Sequence, residues 1–472
     1  MDTADLTYYG ALLVALHAVT ATSATVHALL YKSDSRAAFG WIGVVLFFPY
    51  AGAALYLLFG INRVRRKAQR RGIFGIPWHE SGIVPPPAGV RDEAPAIELV
   101  GRAVTGRAPA DGNSVDILID GEAAFARMLN AIDRATRRVW LMSYIFDADE
   151  TGSRFVRALR DAQTRGVEVR VLIDDIGRRY HWPGVLRDLR REGIDVRCFM
   201  PIRLLPPSLS LNLRNHRKLL VVDDALGFAG GMNIGNRQLR HPPRGHGAAD
   251  LHFCFQGPVV RDFAALFAED WQRSNGALLE VPDPMQSTTG PCRCRLVPDG
   301  PDNHLDHLSL LIDGVISSAQ ERIAIVTPYF LPHRKLVGAL QSAALRGIDV
   351  DILVPERNNW PMVQWALGHI LWELVNVGVR VHQQPDPFAH TKCIIIDDHY
   401  ALVGSTNLDP RSLRLNFELG VEVLSRSFVH ELAAHVDSLI AASRPITPDD
   451  VAGRSVLVRA RDATAALFSP YL

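Results

Sequence analysis

His216, Lys218 and the acidic pair Asp223-Asp224 are set around four apolar residues, and the same spacing returns at His390, Lys392 and Asp397-Asp398, a constant offset of 174 residues. Gly230 and Asn233 match Gly404 and Asn407 at that offset, and Arg237 matches Arg411. An imidazole two residues from an ammonium suits a phosphodiester. One imidazole can attack phosphorus and another can protonate the departing alkoxide, while ammonium and carboxamide groups hold the charge on the equatorial oxygens. Such chemistry calls for no metal and no cofactor. Lysine is scarce, at positions 32, 67, 218, 335 and 392 only, although Lys and Arg together number 51. Keeping a compact ammonium at both repeated positions, in a chain that otherwise uses arginine, marks a specific device.

These residues need a scaffold that repeats as they do. The runs Leu219–Val222 and Cys393–Ile396 read as buried strands, with His and Lys at the entry and the acids at the exit. Because residues i and i+2 of a strand share a face, His216 and Lys218 should point one way, as should His390 and Lys392. The repetition extends upstream: "LMSYIF" at 141 answers "IVTPYF" at 325, and "RGVEVRVLID" at 165 answers "RGIDVDILVP" at 346. Short Val/Ile/Leu runs alternate with helical stretches in both halves, which predicts an α/β fold of two homologous lobes, 113–285 and 286–472, with mixed sheets flanked by helices and a pseudo-twofold relation. Each catalytic histidine also needs a carboxylate on its other ring nitrogen. Asp250 and Glu418, each in the strand that follows its own repeat, are the candidates, and which serves which histidine is left open. Asp223 and Asp397 are grouped with the histidines and lysines as catalytic, with a turn or lobe contact as the alternative. Asn233, Asn407 and Ser405 are placed around the phosphate or the histidines.

Ahead of the lobes, Tyr8 to Tyr31 and Trp41 to Gly60 are uncharged over lengths that can cross a bilayer, so a transmembrane hairpin is predicted within residues 1–72, with helices near 8–31 and 38–60. The second is the stronger stretch. Arg63, Arg65, Arg66, Lys67, Arg70 and Arg71 follow it without an acid, which places the C-terminal part and both termini on the cytoplasmic side of a multi-pass membrane protein. Residues 73–112, rich in proline and glycine, read as a linker.

Composition excludes several classes. A formal net charge of +1 gives no global sign of a nucleic-acid partner. Five cysteines without a CxxC pair argue against a disulfide framework and a zinc cage, and no lysine follows a glycine, which removes the Walker-type phosphate loop. His241, His246, His304 and His307 have no counterpart in the other half and read as surface or loop residues. Tyr144, Phe146, Tyr329 and Phe330 read as core.

The paired phrases, with "GGMN" and "GSTNLDPRSLRLNFELG" after them, resemble the signature of the phospholipase D superfamily, and "GWIGVVLFFPYAGAALYLLFGINR", "VLIDDIG" and "TPYFLP" resemble its bacterial cardiolipin synthases over nearly the whole chain. The resemblance implies a membrane-bound phosphatidyltransferase whose partners are phosphatidylglycerol and other anionic phospholipids. It implies a phosphatidyl-histidine intermediate with His216 as nucleophile and His390 as acid/base. A membrane-bound phospholipase D that gives water or another alcohol access to the intermediate is the alternative reading, and a nuclease the more distant one. The first half departs from the fuller pattern at "GGMNIGNRQLRHPPRGHGAAD" and has Asp250 where the second has Glu418. The oligomeric state is not legible.

Overall fold

The computed structural model describes residues 3–32, 35–60, 95–180, 184–201, 213–281 and 290–469. The chain divides into two compact units, Met1–Gly75 and Ile76–Leu472.

In the first unit, Thr3–Tyr31 is one unbroken helix, and its segment Tyr8–Tyr31 is long and apolar enough to span a bilayer. The second stretch is interrupted. Helix Ser35–Phe47 stops before Pro49, Tyr50 adopts φ 58°, and a short helix Ala51–Leu55 runs into a π-helical turn, Tyr56–Gly60. Proline has no N–H for the helical ladder and crowds the preceding turn, so an uncharged run of sufficient length is not one straight span here. His27 and Tyr56 join the two stretches through a 2.7 Å hydrogen bond. The basic run after residue 60 lies outside the described residues.

The second unit holds two sheets with one wiring. In the first lobe the strand order is Ser114–Ile119, Leu251–Gln256, Leu226–Gly230, Leu219–Val222, Arg138–Ser143, Glu168–Asp174, Asp195–Phe199. In the second it is Gly290–Asp299, Asn416–Leu424, Tyr400–Gly404, Cys393–Ile396, Arg322–Val326, Asp349–Pro355, Arg380–Gln384. The last three strands of each series run parallel and the rest pair antiparallel. The predicted mixed sheets and duplicated lobes are therefore present. Ala110–Gly112 adds to the edge of the second lobe's sheet, and Arg444–Pro445 to its other edge.

Alternation along the central strands explains how the lobes join. Leu219 and Val221 face one core together with Cys393 and Ile395, while Leu220 and Val222 face the first lobe's helices and Ile394 and Ile396 face the second lobe's. Every one of these side chains is buried. Two sheets thus pack through their inner faces, with helices outside. Helices Val259–Arg273 and Arg426–Ala441 send Phe263, Phe267, Trp271, Phe428 and Leu432 into that shared core. The hydrophobic effect that stabilises either lobe also holds the pair together.

Part of the expected linker is ordered. Helix Ala96–Thr105 buries Ile97 among the second lobe's apolar residues, and Glu98 binds Arg293 through two hydrogen bonds of 2.7 and 2.9 Å. Its amphipathic spacing is short and easily lost among the neighbouring prolines.

Candidate active site

Two exchanged two-residue strands build the site. Arg214–Asn215 of the first lobe pairs in parallel with Asn416–Phe417 of the second, and Phe388–Ala389 of the second pairs with Ala248–Ala249 of the first. The pattern continues by one bond on each side: the His216 N–H donates to the Phe417 carbonyl, and the His390 N–H donates to the Ala249 carbonyl, both at 2.8 Å. The next residue along each acceptor strand is an acid, Glu418 or Asp250.

The acids therefore serve the opposite lobe. His216 Nδ1 lies 2.9 and 3.0 Å from the two carboxylate oxygens of Glu418, and His390 Nδ1 lies 2.7 Å from Asp250 Oδ2. Sequence spacing leaves the pairing open; the strand exchange settles it as crossed. A carboxylate only accepts, so each ring carries its proton on Nδ1 and keeps the Nε2 lone pair for a ligand. The copies differ in their support. Ser405 Oγ donates to Glu418 Oε2 at 2.5 Å, whereas its counterpart is Gly231, where an added Cβ would sit 2.7 Å from both oxygens of Asp250. The shorter acid comes with the smaller neighbour.

His216 and Lys218 do not lie within the strand, which begins at Leu219. Instead each lysine folds back on its histidine: Lys218 Nζ donates to the His216 carbonyl at 2.6 Å, and Lys392 Nζ makes the equivalent bond to the His390 carbonyl. Both ammonium groups are buried with the acids. Burial pushes Lys218 well below its usual value and Lys392 down to about 8, against the opposing pull of Glu418 and Asp250. It also pushes both histidines down to about 4, overcoming Glu418 at His216 and, with Lys392 adding to the effect, Asp250 at His390. Although burial disfavours a charged Glu418, His216, Lys218 and Ser405 together hold it below its usual range. In each pair an Nδ1–H donates to a carboxylate oxygen, and burial favours the neutral ring. The lysine of either lobe acts on the histidine of the other, so the four groups share one electrostatic centre.

Asp223 and Asp397 are elsewhere. Each sits at the far end of the four-residue strand that leaves its lysine, with φ 52°, and its carboxylate accepts backbone N–H bonds from the segment entering the neighbouring strand. Asp223 holds Thr136, Arg137 and Arg138 at 2.7–3.0 Å, and Asp397 holds Gln320, Glu321 and Arg322 at 2.8–3.2 Å. This geometry makes them turn-forming residues and corrects their grouping with the reacting residues. Asn233 Oδ1 accepts from the Ile145 N–H at 3.1 Å, which leaves its NH2 group as donor, and Asn407 Nδ2 donates to Ser412 Oγ at 3.3 Å.

Other residues reach the site without a warning in the spacing. Tyr144 is only half-buried, with its ring 5.2 Å from that of His216 and 5.6 Å from Lys218 Nζ, while its neighbour Phe146 is core. Tyr329 takes the matching place in the second lobe, through Phe388 to His390, and Phe330 is core. Arg217, inside the repeated phrase, is buried and bonds Asp270 at 2.7 Å and the carbonyls of Glu418 and Asp299 at 2.9 Å, tying the lobes together behind the histidines. An arginine between the paired His and Lys, two residues before four apolar ones, is the signal for it, since a buried guanidinium demands partners. His241 and His246 are exposed as read from sequence, but His307 is buried, with its ring 5.4 Å from that of His304.

Known proteins resemble this chain in sequence and fold. The family model described as "Cardiolipin synthase, PLD-like domain" matches residues 128–271 and 312–440, and "Phospholipase D-nuclease N-terminal" matches 19–60. The chain is 31% identical to the major cardiolipin synthase of Bacillus subtilis (strain 168), over 93% of its own length and 95% of that protein's. It is 32% identical to cardiolipin synthase A of Pseudomonas aeruginosa (strain LESB58), over 99% and 96%. A phosphatidylserine synthase from Haemophilus influenzae has the same fold, with TM-score 0.57, 15% identity and coverage of 76% of this chain and 95% of the other. With the family model spanning both lobes and curated relatives aligned from end to end, the chain belongs to the cardiolipin synthase family of the phospholipase D superfamily.

Proposed function

We propose that this enzyme transfers a phosphatidyl group between two phosphatidylglycerol molecules, giving cardiolipin and glycerol. The observation that carries this reading is the crossed pair of buried His–carboxylate contacts, with two lysines between them, in a chain of this family. His216 Nε2 attacks the phosphorus of the first lipid and forms a phosphatidyl-histidine, while His390, protonated as the anionic diester enters, gives its proton to the departing glycerol oxygen. His390 then takes the proton from a glycerol hydroxyl of the second lipid, whose oxygen attacks phosphorus and releases His216. One phosphodiester replaces another, so no nucleotide supplies energy. Lys218 and Lys392 hold the equatorial oxygens, with Asn233 and Asn407 as neutral donors. Glu418 and Asp250 fix the rings, and Ser405 fixes Glu418.

The chain works at a membrane, and its finer placement follows the basic run after residue 60: a multi-pass protein of a bacterial inner membrane with its catalytic unit in the cytoplasm. The test is product analysis. The full chain, reconstituted in vesicles of pure phosphatidylglycerol, should yield cardiolipin and glycerol in equal amounts; phosphatidic acid as the main product would replace transfer with hydrolysis.

A further inference from the structure

We propose that the helices Pro361–Val375 and Val456–Leu467 form a bilayer-docking face that seats the mouth of the site against anionic lipid. A surface helix of a globular unit normally buries its apolar stripe. Val456–Leu467 does the reverse: it turns Asp462 and Ala465 inward, where Asp462 binds Arg454, and presents Val456, Leu457 and Leu467 to the outside, followed by Phe468. Leu457 is 83% and Leu467 77% exposed. The partner helix shows the same bias, with Trp372 exposed on its outer side and Trp360 exposed at its start. Nothing among the described residues covers this face.

Charge and position identify the occupant. Tryptophan is the side chain of the membrane–water boundary, and a helix with an apolar face and arginines at its flanks lies in that boundary when anionic lipid is present. Arg459 and Arg461 are exposed on the second helix, and Arg461 lies over the Trp365 ring at 4.9 Å. The face also runs directly to the chemistry. Trp360 follows Asn359, Asn359 accepts from the Tyr329 hydroxyl at 2.8 Å, Tyr329 meets Phe388, and Phe388 meets His390. A lipid headgroup at the level of Trp360 is therefore a few side chains from the reacting histidine. An aqueous protein partner would explain the apolar area, but not why its edge lies a few side chains from His390.

The test uses the full chain in nanodiscs of phosphatidylcholine and phosphatidylglycerol, with a photoreactive benzoylphenylalanine in place of Leu457, Trp372 or, as a control on the first lobe, the exposed Arg157. Irradiation should give phospholipid adducts at 457 and 372 and none at 157, whichever reaction the enzyme catalyses. Adducts between two copies would make the face a self-association surface, and no adducts would make it water-exposed; either result overturns the proposal. The double variant Leu457→Asp/Leu467→Asp should raise KM for membrane-embedded lipid about tenfold, with kcat on a dispersed short-chain lipid unchanged. An unchanged KM would also overturn it.

Discussion

His216 and Glu418 act as one unit across 202 residues of sequence. Replacing His216 or His390 by Ala should each lower turnover at least about a thousandfold, because neither ring can do both phosphoryl and proton work. Near-full activity in either variant, measured as cardiolipin formed, would exclude a shared site. Glu418→Gln keeps the shape and removes the acceptor charge, so turnover should fall about 10- to 100-fold with folding intact. Asp223→Asn should behave differently: a lower unfolding temperature, from weakened bonds to three backbone N–H groups, with kcat unchanged in the folded enzyme. The histidines and lysines proposed to react are legible in the sequence as a cluster because a rare lysine recurs beside a histidine in register, and the fold brings both pairs together. Their carboxylates are legible as residues but not as partners, since spacing cannot reveal an exchanged strand. Asp223 and Asp397 recur just as regularly, and regularity alone does not separate a turn from a reacting group.

Among the elements, the central strands are the most readable, because unbroken Val/Ile/Leu runs mean burial on both faces and the sheets provide it. The less readable parts depend on single residues. Pro49 breaks an apolar run that length alone would make one straight helix, and helix Ala96–Thr105 is hidden in a proline-rich stretch but held by Arg293. Glycine separates two kinds of position. At Gly404, with φ 156°, an added Cβ would meet the Leu419 carbonyl at 2.2 Å, in the strand that carries Glu418. Gly404→Ala should therefore cost about 2–3 kcal/mol and impair turnover as well. Gly338, within helix Arg334–Leu345, has nothing within 4 Å of an added Cβ, and Gly338→Ala should stabilise by about 1 kcal/mol without touching activity. Equilibrium unfolding of both variants checks the contrast.

For the molecule as a whole, buried neutral histidines set the response to acid. His216, His252, His307 and His390 are each pushed down to about 4 by burial, so between the usual histidine value and 4 the unfolded chain binds more protons than the folded one. Their contribution to stability is present above pH of about 6.5 and is lost as pH falls towards 4, by up to about 3 kcal/mol for each group. The unfolding temperature of the full chain should accordingly drop between pH 7 and pH 5, and a flat profile would contradict neutral rings in the folded state. The crossed acids have a consequence for descent. A solitary ancestral half would have carried an imidazole with no carboxylate to steady it, so it could have turned over only as two identical chains related by a twofold axis. With both halves in one chain the copies need not stay identical, and they are not: aspartate stands with glycine on one side, glutamate with serine on the other.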